Sequence, residues 1–314
     1  MKILNLIILG LLLLPACDRR GSHLPNAQDK AISLTEARRG FETTLGRSEY
    51  GKEPVAEPPP QTFQVVHYDS PAGRFPAYLM LDPKDGKKHP ALIWITGGDC
   101  NTIGDVWSAA PASNDQTASA FRKAGIVMMF PSLRGGNENP GAREGFFGEV
   151  QDVLSAAEFL GRQQFVDPNR IYLGGHSTGG TLALLVAECS DRFRAVFSFG
   201  PVAEVEGYPP EFLPFDTSSR RELELRAPIR WLHSIKSPVF VFEGTRRPGN
   251  LDSLKAMARA TTNPMVHFFP VSGADHFSIL APTTQFIAES VLRDDGPVTH
   301  LAFNGQELNQ LFGN

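Results

Sequence analysis

Near the middle of the chain stands the stretch YLGGHSTGGT, residues 172–181, and an apolar run over residues 182–187 follows it. Residues 171–173 predict a short buried strand, the glycines after them a sharp turn, and the residues from Thr178 onward a helix. The turn contains the pattern G-x-S-x-G, in which a serine sits on a strained bend with its hydroxyl exposed above a sheet. Flanking glycines let the strand and the helix approach without a Cβ clash. The stretch therefore predicts Ser177 as a nucleophile at one edge of a sheet.

Apolar runs alternate with helical patterns on both sides of this stretch. Two strands, over residues 63–68 and 76–81, are separated by turn residues and predict an antiparallel hairpin. Six more strands follow, with helical patterns between them, over residues 91–95, 126–130, 170–173, 195–199, 239–242 and 265–269. Continuous Val, Ile and Phe runs between helices are typical of parallel strands buried on both faces. The sequence thus predicts an α/β fold: a mostly parallel eight-stranded sheet with an N-terminal antiparallel hairpin and helices on both faces.

The first 17 residues differ from the rest of the chain. Lys2 supplies a positive start, and residues 3–14 form an apolar run that is too short to span a membrane. The sequence LPAC then ends at Cys17, which predicts a secretory signal peptide. A cysteine directly after the cleavage site resembles the bacterial lipobox, although an ordinary signal peptide with an incidental cysteine is the alternative. We therefore expect a lipid on Cys17 to hold the protein on a membrane of the bacterial cell envelope, facing the periplasm or the outside.

The remaining chain divides into three segments. Residues 18–61 predict a tether, a short helix that begins at a capping box, and a proline-rich linker. Residues 62–295 carry the alternating strands and helices and form the predicted catalytic domain. Residues 296–314 are a C-terminal tail.

Length, charge and cysteine spacing limit the classes of function. The chain has 314 residues, of which 41% are hydrophobic, and this suits one soluble globular domain with appendages. A formal net charge of −4 without a basic cluster argues against nucleic acid as a partner. Cys100 and Cys189 have no His or Cys neighbour at metal-ligand spacing, so the sequence predicts no metal site. We also expect no disulfide between them, because residue 189 lies far along the helix that begins after Ser177.

A serine hydroxyl is a poor nucleophile at its ordinary pKa and needs a histidine that a carboxylate orients. His276 lies in the sequence SGADHF, just after the last predicted strand. Because the carboxyl ends of parallel strands meet at one edge of a sheet, this loop should emerge beside Ser177. We therefore expect His276 to be the general base.

The tetrahedral intermediate of such a reaction needs two N–H donors for its oxyanion. The amide of Thr178 should supply one, because it belongs to the residue after the nucleophile. The loop after the first parallel strand should supply the other, from Gly97 or Gly98, since paired glycines let the backbone come close to a substrate carbonyl.

Prolines make the stretch over residues 200–219 a loop that could cover the site. Tyr208 and Phe212 are large side chains of this loop, and we expect them to contact substrate. The alternative is that both rings pack onto the edge of the sheet.

Seven stretches together resemble the prolyl-oligopeptidase-like branch of the α/β-hydrolases, with dienelactone-hydrolase-like enzymes as near relatives. They are PAYL (76–79), HPALI (89–93), TGG (96–98), RGGN (134–137), VDPNRI (166–171), the serine turn, and ADHF (274–277). The resemblance implies a serine peptidase or esterase that forms an acyl-enzyme and needs neither metal nor cofactor. Only 61 residues precede the hairpin, so the large propeller of the oligopeptidases is absent. We therefore expect an open site that takes small esters or short peptides.

The chain departs from this family at the acid. After the strand over residues 239–242 the family usually places Gly-x-x-Asp, whereas Arg247 occupies that position here. A guanidinium cannot accept the imidazole N–H. Glu243 at the tip of the strand is our first substitute, and Asp252 at the start of the next helix is the second. If neither orients the histidine, the alternative function is a catalytically impaired hydrolase fold that serves as a binding module.

Overall fold

A computed structural model describes residues 31–46, 51 and 53–313. Cys17 and the predicted signal peptide therefore lie outside the described residues. Eight strands form one sheet in the order β1-β2-β4-β3-β5-β6-β7-β8. Their bounds are β1 Phe63–Ser70, β2 Gly73–Met80, β3 His89–Ile95, β4 Val127–Pro131, β5 Val166–His176, β6 Val196–Phe199, β7 Val239–Gly244 and β8 Val266–Val271. The predicted fold class is confirmed.

The sheet is parallel except at the hairpin. β1 and β2 pair antiparallel, and β2 joins the sheet by antiparallel pairing with β4. All later neighbours pair in parallel, so the carboxyl ends of β3, β5, β6 and β7 lie at one edge. In the strand order, β4 lies on one side of β3 and β5 lies on the other. At such a switch point the loops that follow β3 and β5 border a common crevice.

Helices cover both faces of the sheet, and each face has its own buried apolar cluster. Their bounds are α1 Leu34–Arg38, α2 Ser119–Lys123, α3 Glu149–Gly161, α4 Thr178–Cys189, α5 Arg220–Glu224, α6 Leu251–Ala260, α7 Leu280–Arg293 and α8 Gly305–Gln310. The most enclosed is α4, in which every residue except Cys189 is buried. Among the residues that the structure describes, no helix is both long and apolar enough to cross a bilayer.

The segments outside the predicted catalytic domain also carry structure. The capping box predicted before the first helix is confirmed, because Ser33 and Glu36 bond each other's backbone amides, and α1 ends at Arg38. At the other end, Phe303 packs edge-on against Phe240 of the sheet, with ring centroids 4.8 Å apart. The C-terminal residues therefore complete one face of the core.

Candidate active site

The turn between β5 and α4 holds Ser177 in a strained conformation. Its φ is 55° and its ψ is −114°, which a residue with a side chain rarely adopts. The N–H of Ser177 donates to the carbonyl of Phe199 at 2.7 Å. A Cβ on Gly179 would lie 2.2 Å from the carbonyl oxygen of Ile95, so this position requires glycine. The turn thus presents Ser177 beyond the carboxyl end of β5.

His276 and Glu243 form a buried pair. Nδ1 of His276 donates to Oε2 of Glu243 at 2.9 Å, and neither residue is more than 8% exposed. Two backbone amides also donate to the carboxylate: Gly244 N–H to Oε1 at 2.7 Å, and Asn250 N–H to Oε2 at 2.9 Å. Three donors therefore fix the carboxylate of Glu243 against the imidazole.

The imidazole of His276 lies at the serine turn. The carbonyl of Phe199, which binds the amide of Ser177, belongs to the residue before Gly200. A Cβ on Gly200 would come within 2.4 Å of the His276 ring, so the ring packs directly on this backbone. The ring also lies 4.4 Å, centroid to centroid, from that of His176, the residue before the serine. The structure therefore brings Ser177 and His276 to the same edge of the sheet.

Sequence reasoning missed His176 and Gln116. Nε2–H of His176 donates to the backbone carbonyl of His276 at 2.9 Å. Burial, together with the nearby charge of His276, lowers the pKa of His176 to about 3, so its ring stays neutral at physiological pH. The side-chain oxygen of Gln116 lies 2.9 Å from Nδ1 of His176 and accepts the N–H of Gly97 at 3.1 Å. The sequence does show a histidine inside the serine motif. Its partners, Gln116 and His276, lie 60 and 100 positions away, so its role could not be predicted.

The two glycines after β3 differ in their amides. That of Gly97 is taken by Gln116, whereas that of Gly98 has no acceptor among the residues described. The hydroxyl of Thr178 donates to the carbonyl of Gly98 at 2.9 Å and so ties this loop to α4. The amide of Thr178 is in the first turn of α4, where N–H groups have no partner within the helix. Thr178 and Gly98 are therefore the amides free to bind an oxyanion.

Tyr208 and Phe212 lie in the loop over residues 200–219, and their environments differ. The Tyr208 hydroxyl hydrogen-bonds to Thr181 Oγ1, in the first turn of α4, at 2.7 Å. Burial raises the pKa of Tyr208, and the hydrogen bond to Thr181 offsets part of the rise. Phe212 is half-buried, contacts the Tyr208 ring, and lines a cleft together with Gly98. One ring therefore binds the helix that follows the serine, and the other forms a wall of the cleft.

Asp252 does not reach the histidine. It lies exposed in the first turn of α6 and has no hydrogen bond to His276, so Glu243 alone of the two candidate acids contacts the imidazole. Cys100 and Cys189 are both free. Within the described ranges, no group of three or more His, Cys, Asp or Glu side chains is arranged to hold a metal ion.

The chain is similar to known peptidases and esterases in sequence and fold. A profile of the prolyl oligopeptidase family matches residues 112–245. The uncharacterized peptidase YtmA of Bacillus subtilis (strain 168) is 26% identical over 187 residues, which are 54% of this chain and 67% of that protein. Further curated relatives match over 19 to 28% of their own length, so the chain spans only part of them.

Solved structures share the fold at low sequence identity. A puromycin-hydrolyzing peptidase of Mycobacterium tuberculosis has a TM-score of 0.59 and 21% identity, with 74% of this chain and 39% of that one covered. The esterase Pf2001 of Pyrococcus furiosus has a TM-score of 0.58 and 14% identity, with 78% and 97% covered. The resemblance found in the sequence is confirmed. The chain has the α/β-hydrolase fold and is similar to the serine hydrolases of the prolyl oligopeptidase family.

Proposed function

We propose that this chain hydrolyses small esters and short peptides through an acyl-enzyme on Ser177. The observation that carries the proposal is the buried contact between His276 and Glu243, packed against the turn that strains the serine. Nδ1 of the imidazole is occupied by the carboxylate, so Nε2 is the nitrogen left to act as base.

In this mechanism the Ser177 oxygen bonds to the substrate carbonyl carbon while Nε2 of His276 takes the hydroxyl proton. The carbonyl oxygen becomes an oxyanion, which the amides of Thr178 and Gly98 stabilise. When the intermediate collapses, His276 returns the proton to the leaving alcohol or amine. Water then repeats the sequence on the acyl-enzyme and releases the acid. Glu243 keeps the ring oriented and stabilises its charged form throughout.

Both ester and peptide substrates are consistent with the relatives. One structural neighbour is named as a peptidase and another as an esterase, and both share this fold. Ester bonds are the easier target, because resonance stabilises an amide more than an ester and the amide nitrogen must be protonated before it can leave. We therefore expect higher rates on esters than on amides of the same acyl group.

The alternative of an inactive binding module was motivated by Arg247 at the usual position of the acid. Glu243, one position past the predicted end of the strand, contacts His276 instead. This contact supports the hydrolase proposal over the binding module.

The substrate class is tested with p-nitrophenyl esters of increasing chain length beside aminoacyl-arylamides. We expect turnover by the wild type and a fall in kcat of roughly 10⁶ in Ser177→Ala, the loss typical of a removed serine nucleophile. Ser113→Ala, at an exposed serine, is the matched control. Hydrolysis that survives in Ser177→Ala at the wild-type rate would exclude this mechanism.

We also propose export and a lipid anchor on Cys17, supported by the N-terminal sequence alone. Cys17→Ser should move the protein from the membrane fraction of a bacterial host to a soluble one. A variant that stays with the membranes would disprove the anchor and leave the hydrolase proposal intact.

A further inference from the structure

Residues 33–46, which we call the strap, pack onto the catalytic domain over their whole length. At the N-terminal end of the strap, Leu34 is fully buried and its N–H donates to Ser234 Oγ at 3.1 Å. The hydroxyl of Thr35 donates to the carbonyl of Cys189, at the end of α4, at 2.9 Å. The strap therefore begins against the helix that carries the nucleophile at its other end.

Arg38 extends the strap's contacts toward the site. Its guanidinium donates to the carbonyl of Leu225 at 2.8 Å, to that of Phe146 at 3.1 Å and to that of Phe147 at 3.2 Å. It also stacks 4.7 Å from the centre of the Phe147 ring. A half-buried guanidinium that donates to backbone carbonyls fixes those carbonyls in place.

The C-terminal end of the strap pairs like a β-strand with the loop over residues 200–219. We call this loop the roof. Gly46 N–H donates to the carbonyl of Pro214 at 2.8 Å, and Asp216 N–H donates to the carbonyl of Thr44 at 2.8 Å. Between them, Leu45 and Phe215 face each other as an antiparallel bridge. Two backbone bonds in register determine where this part of the roof lies.

Arg226 joins the strap, the roof and the loop before α3, and its guanidinium lies 4.0 Å from the centre of the Phe215 ring in the roof. Its guanidinium donates to Thr43 Oγ1 in the strap and, at 2.8 Å, to the carbonyl of Gly145. It pairs with Glu222, which in turn accepts the N–H of Thr44 at 2.6 Å. The side chain is fully buried. Three separate segments of chain are thus held by one cation.

Phe146 and Pro214, which the strap binds, and Gly145, which Arg226 binds, also line a cleft. This cleft is bounded by the proposed oxyanion loop at Gly98 and by Gly145, Phe146, Phe212 and Pro214. We propose that the strap is a positioning element of the substrate site: it sets the cleft wall and so determines which acyl groups fit. The proposal rests on the proposed function, because the cleft receives an acyl group only if Gly98 binds the substrate's oxyanion.

The closing experiment compares Gly46→Pro with Gly46→Ala. Proline removes the N–H that binds Pro214, and the extended Leu45 tolerates a following proline. Alanine keeps the N–H, and its Cβ would meet only ordinary contacts, the nearest at 3.5 Å. Thr43→Val and Thr43→Ser form a second pair, in which only serine retains the hydroxyl bound to Arg226.

Relative to its partner, each disrupting variant should raise KM for long-chain p-nitrophenyl esters by at least about fivefold and change kcat for the acetyl ester much less. Hydrogen exchange of the amides over residues 145–147 and 212–216 should also quicken, and this readout does not require hydrolysis. If the wild type is inert, the exchange result alone decides the inference. Unchanged exchange, or a uniform fall in kcat at every chain length without a change in KM, would overturn it.

Discussion

The turn after β5 and the turn after β7 each bring one side chain to the proposed site, and they hold it by different means. After β5, glycines and a positive φ force Ser177 outward, and a single Cβ at Gly179 would collide with the backbone of the neighbouring strand. After β7, no strain is needed. Glu243 is the last residue but one of β7, and backbone amides of residues 244 and 250 bind its carboxylate.

Different substitutions therefore disrupt the two turns. The serine turn depends on close packing of backbone against backbone, so its glycines tolerate no added side-chain atoms. The acid turn depends on donors from a loop that returns to the strand end, where Asn250 also donates through its side chain to the carbonyl of Gly200 at 2.8 Å. The acid can therefore stand four positions upstream of Arg247 and be longer, because this loop supplies hydrogen bonds to the carboxylate of Glu243.

The acid turn is broken most directly by Glu243→Gln. An amide cannot stabilise the imidazolium and favours the wrong tautomer, so kcat should fall by about 10⁴. Steady-state kinetics on the best ester measures this. Asp252→Asn, at the exposed acid, is the matched control and should stay within about twofold, as surface substitutions usually do. An equal loss in both variants, or none in Glu243→Gln, would contradict the assignment.

The serine turn is broken by Gly179→Ala. The added methyl would lie 2.2 Å from the carbonyl oxygen of Ile95, so the helix must move or the domain must loosen. We expect a loss of about 3 kcal/mol or more in the free energy of unfolding, at the upper end of overpacking costs. Urea unfolding measures it. Gly104→Ala, where a Cβ meets nothing within 4 Å, is the control. A stable Gly179→Ala would show that the turn is not held by packing.

These two turns also explain how much the sequence could predict. The strands and the serine turn were readable because their signals are local: apolar runs, and glycines at fixed spacing. The helix over residues 251–260 was predicted to the residue. Glu243 could be ranked first from its place at the end of a strand. Its supporting donors could not be assigned, because they depend on how the following loop returns.

Contacts between residues far apart in the chain could not be predicted from the sequence. Arg38 binds a carbonyl 187 positions away, and nothing in the composition of its segment marks it as part of the site. The segment over residues 220–234, predicted as one helix with a break or restart at Pro228, becomes α5 followed by two short 3₁₀ turns. Here proline removes an amide donor that a continuing helix requires.

His176, beside the serine, binds the loop that carries His276, and His276 in turn binds Glu243, so the removal of His176 sharpens the comparison. His176→Leu deletes the N–H that holds the carbonyl of His276, and a misplaced base should lower kcat by about 10- to 100-fold with little change in KM. His176→Gln retains a side-chain donor and should recover part of the loss. Kinetics of the two variants measure this effect. Leucine and glutamine variants that are equally active would remove the positioning role.

The smallest predicted effect is a pH-dependent change in stability at the end of α4 that lies away from Ser177. Glu188 is buried with no hydrogen-bond partner among the residues described, and burial raises its pKa well above the ordinary value, while Arg38 offsets part of the rise. Because the folded state binds this proton more tightly, its contribution to stability is complete below the unfolded pKa and is lost as the pH rises toward the folded pKa.

Glu188→Gln should therefore match the wild type near pH 4 and unfold at a higher temperature near pH 8. A gain of about 1 kcal/mol corresponds to roughly 2 to 4 °C in a domain of this size. Thermal unfolding at the two pH values measures it, with the exposed Glu289→Gln as control. A Tm at pH 8 below that of the wild type would contradict the sign.

The proposed mechanism requires Ser177 to be a nucleophile that His276 and Glu243 activate. Reaction with a fluorophosphonate, followed by mass spectrometry of the intact protein and its peptides, tests this most directly. We predict one adduct per chain, located on Ser177, absent in Ser177→Ala and formed much more slowly in Glu243→Gln. No adduct, or an adduct on another residue, would contradict it.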